Sequence, residues 1–342
     1  MHYVGIDLHK RESQICIVDA SGTVVDEQRI KTTKEAFEAM FRARARSRIV
    51  IESSCESEWV ARVLENCGHE VVVADPSYAA MYGHRNRNVK TDKRDARALA
   101  DAARTGLYRH AHRKSDEQRH RSSLLAVRAG LVRSRAKLIT LARALVRRTG
   151  QRIRRGAVER FSFFVKELEL ADDVATELAP ILAVLPALDA QIESLDAELE
   201  KVATQDPRTV AAQSMQCIGP VTSVAFVAHI DDARRFKTAR QVSSYIGLVP
   251  REYSSGEKKR RGRITKAGNS QLRSLLVQAA LRIRRSRSMS LAHLRAWSER
   301  IAARRGKKVA VVALARKLAM ILFAIIRDGT LFHAPQLMSE VA

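Results

Sequence analysis

Four carboxylates in the first hundred residues have the type and spacing for metal-assisted chemistry on a phosphate. They are Asp7 in YVGIDLHK, Glu52 in RIVIESS, and Asp92 with Asp95 in KTDKRDA. Asp7 and Glu52 close short apolar runs of strand character, while Asp92 and Asp95 stand three apart in a helical pattern and so share a face. An acid at the end of a buried strand is costly unless it is paired or holds a cation. Two divalent cations about 3.5–4 Å apart activate an attacking oxygen and stabilise a leaving one at a single phosphorus, and they need hard oxygen ligands from several rigid elements. Taken singly, each acid has an ordinary reading. Asp7 would bind backbone amides, Glu52 would bridge to Arg48 or Arg62, and Asp92 and Asp95 would be solvated among Lys93, Arg94 and Arg97. Taken together they make a ligand set.

A second candidate lies far downstream. Ser254 and Ser255 precede Gly256 in a basic stretch that reads as a loop, crowded by Lys258, Lys259, Arg260, Arg261, Arg263 and Lys266. That charge suits a phosphate and a developing pentavalent centre. On spacing alone the serines are turn residues. No histidine or cysteine stands at a spacing that suggests a conventional triad. His9, His84, His110, His112 and His120 lack HExxH-like spacing and read as facing solvent or nucleic acid.

The elements around these residues follow from hydrophobic periodicity. Runs at 2–8, 14–18 and 23–30 predict a three-stranded meander, followed by a helix over 34–46, a strand over 48–52, a helix over 58–66 and a strand over 70–74. A helix over 92–104 has Thr91 as N-cap and Gly106 as stop. That order is the order of a ribonuclease-H-like layer. Leu124, Val127, Leu131, Ser134, Leu138, Leu141 and Leu145 form one heptad run, and Leu188, Ile192, Leu195, Leu199 and Val202 a second, starting behind an expected N1 proline, Pro186. The pair suits an antiparallel coiled coil or a dimer contact, and equally two amphipathic helices of one core. From about residue 206 the chain reads as mostly helical, with Gly219-Pro220 in a turn resembling a helix-hairpin-helix.

Charge is distributed in blocks. The net charge is +24, yet residues 1–108 hold 17 Lys/Arg against 16 Asp/Glu. Residues 109–155 hold 15 against 2, residues 156–205 hold 3 against 11, and residues 251–308 hold 18 against 3. Such blocks favour a polyanion, and nucleic acid over a membrane surface, because no Trp/Phe-rich face opposes them. Residues 309–326 carry Arg316 and Lys317 at their middle and read as a core helix. Cys16, Cys55, Cys67 and Cys217 lack CxxC spacing, which fits reduced thiols in a cytoplasmic protein, and Met1 leads into a strand rather than a signal peptide.

At these residues the chain resembles the DEDD transposases of bacterial insertion sequences, the group of RNA-guided, bridge-RNA recombinases. GIDLHK is similar to the family's opening strand, IVIESS to its second acid and KTDKRDARALA to its paired acids. SMQCIGPVTSVAFVAHI, SYIGLVPREYSSG and GRITKAGNSQLRSLL resemble its C-terminal domain. The resemblance implies an α/β RNase H/RuvC-like domain over 1–110, a helical coiled-coil segment over 111–205 and a mostly helical transposase domain over 206–342. It implies Mg²⁺ on Asp7, Glu52, Asp92 and Asp95, and a serine that attacks DNA to leave a phosphoserine link. By position that serine is Ser255, and Ser254 occupies a non-catalytic place. Donor and target DNA, a guide RNA and a homo-oligomer, dimer or tetramer, are the implied partners. Two other readings stay open: a RuvC-like junction nuclease using only the four acids and water, and a non-catalytic nucleic-acid-binding protein.

Overall fold

The expected meander forms from β1 (His2–Asp7), β2 (Glu12–Val18) and β3 (Val24–Lys31), which pair antiparallel in sequence order. After α1 (Lys34–Phe41) the chain returns as β4 (Ser47–Glu52), parallel to β1, and after α2 (Ser57–Asn66) as β5 (Glu70–Ala74), parallel to β4. The sheet order is β3-β2-β1-β4-β5, and α3 (Asp92–Thr105) completes the layer. The computed structural model describes residues 1–82, 91–255 and 258–334, without the side chains at 79, 82, 254, 255, 258, 259 and 261. His84 lies outside the described residues.

Period-two alternation gives this sheet two different faces. Val4, Ile6, Ile15, Ile17, Ile49 and Ile51 pack with Phe37 and Phe41 of α1 and with Val60 and Leu64 of α2. The intervening residues look the other way: Val50, Val72 and Ala74 meet Leu99, Ala102 and Ala103 of α3, and Cys16 and Val18 meet its Ala96 and Ala100. Gly5 is what lets α3 lie so low, since a Cβ there would stand 2.1 Å from the Ala96 carbonyl oxygen and 2.2 Å from the Ala100 amide nitrogen. α1 ends at Phe41 rather than at residue 46. Arg44 Nε donates to the Met40 carbonyl at 3.1 Å and its guanidinium pairs with Asp26, so the basic run that follows ties the helix end to β3 instead of prolonging it.

Met1–Lys114 and Ser115–Ala342 are two compact units. The second consists of α4 (Asp116–Arg148), α5 (Phe161–Lys166), α6 (Asp172–Gln205), α7 (Pro207–Gln213), α8 (Pro220–Ile230), α9 (Ala239–Tyr245), β6 (Pro250–Ser255), β7 (Lys258–Ile264), α10 (Ser270–Arg285), α11 (Ala292–Arg305) and α12 (Lys307–Asp328). α4 and α6 run antiparallel, as the ion pairs Arg128–Asp196, Arg135–Asp189 and Arg148–Glu177 register. The basic and acidic blocks therefore meet within one chain.

Three details differ from the sequence expectation. The most deeply buried α4 residues are Gln118, Arg121, Leu125, Ala142 and Val146; of the expected heptad Leu124, Leu138 and Leu145 pack against the cores, whereas Val127 and Leu141 are 55% and 50% exposed. The inward face of α4 thus lies beside the expected seam, and Arg128 and Arg135 on that side pair with Asp196 and Asp189 of α6. α6 does not start at Pro186 but runs from Asp172 through both Pro180 and Pro186. Each proline costs a backbone hydrogen bond, offset where Val174, Leu178, Ile181 and Leu185 pack with Ala142, Val146, Phe161 and Phe164. Finally, the stretch read as a basic loop is the antiparallel hairpin β6–β7.

α8 and α12 lie at the centre of the second core. Ala310, Leu314, Leu318, Leu322 and Phe323 of α12 are fully buried there. By length and composition α6 and α12 would suffice to cross a bilayer, and both bury apolar faces within this unit.

Candidate active site

Strand parity places the first acids. Ile6 of β1 is in register with Ile51 of β4, so Asp7 and Glu52, one residue further along each parallel strand, end adjacent strands on the same face. Odd-numbered β1 residues face α3, as Gly5 demonstrates, and Glu52 shares the parity of Val50, which packs on α3. Across the sheet Asp7 pairs with Gln14, and Gln14 with Arg29, so one row on the α3 face reads Glu52, Asp7, Gln14, Arg29.

α3 brings Asp92 to that row and carries Asp95 in the same first turn. Thr91 caps it, its Oγ1 accepting from the Arg94 amide at 3.4 Å. Asp92 and Asp95 occupy the first turn, where the positive end of the helix dipole favours carboxylates. Asp95 is 5% exposed, whereas the Asp92 side chain is 41% exposed. Ion pairs hold α3 against β3, including Lys93 with Glu27 at 3.5 Å. Arg29 donates to Asp92 Oδ2 at 2.8 Å, and Arg97 grips Glu27 with bonds of 2.7 and 3.0 Å. The Arg97 bond keeps the Glu27 carboxyl below its usual range against the opposing effect of burial.

His9 is the residue that sequence reasoning missed. Read as facing solvent or nucleic acid, its half-exposed ring instead stands between two of the acids, Nε2 lying 3.3 Å from Asp7 Oδ2 and 3.4 Å from Asp92 Oδ1. The candidate donor atoms of Asp7, His9 and Asp92 all fall within 4.8 Å of one another. The available signal was the Asp-x-His spacing at a strand end, because residues two apart in an extended chain point the same way.

The serine candidates sit in the second unit. Ser255 ends β6 opposite Lys258, with Ser254 opposite Lys259 and Tyr253 opposite Arg260. Gly256 and Glu257, which link the strands, lie outside the described residues, as do the side chains of Ser254, Ser255, Lys258, Lys259 and Arg261. Arg260, Arg263 and Lys266 are exposed. The base of the hairpin is fixed by close backbone contact: Gly247, at φ +77°, leaves 2.2 Å between an added Cβ and the Ala267 carbonyl oxygen. Arg273 Nη1 also donates to the carbonyls of Ile246 at 3.0 Å and Gly268 at 3.1 Å.

Two family models match the chain, one over each end of it. The profile of DEDD transposases of IS110 type matches residues 4–150, and that described as the transposase IS116/IS110/IS902 family matches residues 211–295. The chain is 31% identical over 338 residues to a Pseudomonas aeruginosa protein named "Probable family 20 transposase", spanning 96% of this chain and 98% of the relative. It is 31% identical over 334 residues to the transposase for insertion sequence element IS1111A of Coxiella burnetii, spanning 94% and 89%. It is 27% identical over 332 residues to the transposase for IS1328 of Yersinia enterocolitica, spanning 96% and 98%. The first of these profiles covers all four acids and the second covers the serine hairpin. With likeness running from end to end, the chain belongs to the IS116/IS110/IS902 family of DEDD transposases.

Proposed function

We propose that this transposase cuts and rejoins donor and target DNA at a RuvC-like, RNase H-type site of Asp7, Glu52, Asp92 and Asp95 that takes Mg²⁺, with Ser255 as nucleophile. The observation that carries the reading is the convergence of Asp7 and Asp92 on one imidazole, with Glu52 ending the neighbouring strand on the same face. The strand order β3-β2-β1-β4-β5, with β1–β3 antiparallel and β4 and β5 parallel to β1, supports the RNase H-type assignment. Fit to a hard cation follows from the donors. Close carboxylates repel unless a positive charge lies among them, and oxygen-rich sets suit Mg²⁺.

When bound, the cations lower the charge on the scissile phosphate and favour ionisation of a hydroxyl beside it. The chain's own residues supply the rest. The Ser255 hydroxyl oxygen attacks phosphorus, one phosphodiester P–O bond breaks, and the departing deoxyribose oxygen takes a proton to leave as a hydroxyl. Attack on the phosphoserine by a strand-end hydroxyl then re-forms a phosphodiester and returns the serine. Lys258, Lys259, Arg260, Arg261, Arg263 and Lys266 hold the DNA phosphates near the serine.

The working division is 1–110 for the acids, 111–205 for helical association into a dimer or tetramer, and 206–342 for the serine. A non-coding guide RNA supplies sequence by base pairing, which leaves the protein to bind backbone and shape. The reaction belongs to the cytoplasm.

Strand cleavage by variants tests the assignment. Ser255→Ala is expected to bind DNA yet yield no covalent adduct, and Asp7→Asn to bind DNA yet cut none. Full strand exchange by Ser255→Ala would refute the nucleophile and favour a water-using nuclease.

A further inference from the structure

Nothing in the DEDD ligand set accounts for His9. We propose that His9 is a ligand in the acid cluster and that its nitrogen biases the site toward divalent first-row transition ions over Mg²⁺, with Mn²⁺, the weakest binder of that series, serving as the probe; the inference rests on the metal-site reading above. Asp7 and His9 leave the end of β1 two residues apart, and α3 presents Asp92 to both. Donor atoms within 4.8 Å of one another are close to the diameter of one coordination sphere, about twice a ligand distance of ~2.1 Å.

Asp92 is already oriented for this. Arg29 takes its Oδ2 at 2.8 Å, which turns Oδ1 toward His9. A hydrogen bond to the far oxygen of a ligating carboxylate is the outer-sphere support that metal sites use. The selectivity follows from donor chemistry. Mg²⁺ takes oxygen and keeps its waters, whereas imidazole nitrogen strengthens binding of transition ions, in the order Mn²⁺ to Cu²⁺. A donor set of two carboxylates and one imidazole therefore discriminates among cations in a way that four carboxylates do not. The alternative is an imidazole that only hydrogen-bonds across Asp7 and Asp92, contributing no nitrogen to a bound ion.

The experiment is Mn²⁺ titration of the full-length protein, with Mg²⁺ as competitor, read by electron paramagnetic resonance together with pulsed detection of ¹⁴N coupling to the bound ion. Wild-type protein, His9→Ala, His9→Asn and Asp7→Asn are compared. Wild-type protein is expected to show ¹⁴N coupling. Both His9 variants are expected to lose it and to bind Mn²⁺ about tenfold more weakly, with competition by Mg²⁺ shifted far less. Mn²⁺ bound in an Asp7-dependent manner, with no nitrogen coupling and equal affinity in wild-type and His9→Ala proteins, overturns the role of His9 and leaves the acid site standing. Absence of any Asp7-dependent binding of either ion overturns both.

Discussion

Asp92 has different partners on its two oxygens, Arg29 on Oδ2 at 2.8 Å and His9 on Oδ1 at 3.4 Å. Arg29 is half exposed, and a surface ion pair of this kind contributes only about 0–1 kcal/mol to folding. Its greater effect is on the direction in which Asp92 points. Arg29→Ala is therefore expected to leave thermal unfolding almost unchanged and DNA binding intact, while slowing cleavage by about 10–100-fold. Single-turnover cleavage and a melting curve on the same preparation check this, and an equal loss in both would make Arg29 merely structural. At this scale the places of the acids, ending β1 and β4 and opening α3 behind the N-cap of Thr91, were legible in the sequence. His9 was not, since the patterns sought among the histidines were helical spacings and its signal is an extended one.

Among the elements, α3 is positioned by a missing side chain. A methyl at residue 5 would meet the Ala96 carbonyl at 2.1 Å, so Gly5→Ala must push α3, with Asp92 and Asp95, away from β1. The expected cost is about 1–3 kcal/mol in chemical denaturation, with cleavage lost at temperatures where the protein is still folded. Full activity in Gly5→Ala would show that α3 has slack.

In the second unit the corresponding anchor is Asp206, which caps α7 and accepts from Arg208 at 2.8 Å and from Arg121 of α4 at 2.5 Å. Burial alone would raise its carboxyl, but these bonds outweigh burial and hold it at about 2. A carboxyl depressed from an unfolded value of about 3.9 stabilises the fold above that pH and ceases to do so as pH falls through about 2. Helical content followed against pH is thus expected to fall between about pH 4 and about pH 2, and Asp206→Asn is expected to flatten that step while costing about 3–5 kcal/mol near neutrality. In the first unit, element order and most boundaries were readable from period and caps. The full inward face of α4 was not, because it includes Arg128 and Arg135, whose partners Asp196 and Asp189 stand 68 and 54 positions away. The hairpin did carry a signal, two residues beginning with glycine between β6 and β7, masked by strands made of charged rather than β-branched residues.

For the whole molecule the informative quantity is where the charge of +24 resides. Part of the positive charge of α4 is met within its own unit by α6, through Arg128–Asp196, Arg135–Asp189 and Arg148–Glu177. The excess left for DNA is concentrated from β6 through α11, where residues 251–308 hold 18 basic against 3 acidic side chains. Binding is therefore expected to weaken steeply with salt. If the contacts number about 6–10, the loss is about 10³–10⁵ in affinity between about 50 and 200 mM. Replacing Arg260 and Arg263 by Ala should reduce the slope of log affinity against log salt by about two, whereas Arg128→Ala should leave the slope unchanged.

The central proposal is that cleavage needs both the acids and the Ser255 hydroxyl, and one measurement reaches it: peptide mapping of the protein–DNA adduct after a cleavage reaction in Mg²⁺ is stopped with denaturant. A nucleotide phosphate is predicted on the peptide containing Ser255, absent from Asp7→Asn and from Ser255→Ala. Wild-type protein that cuts DNA at full rate with no adduct, or with the phosphate on another residue, would contradict it.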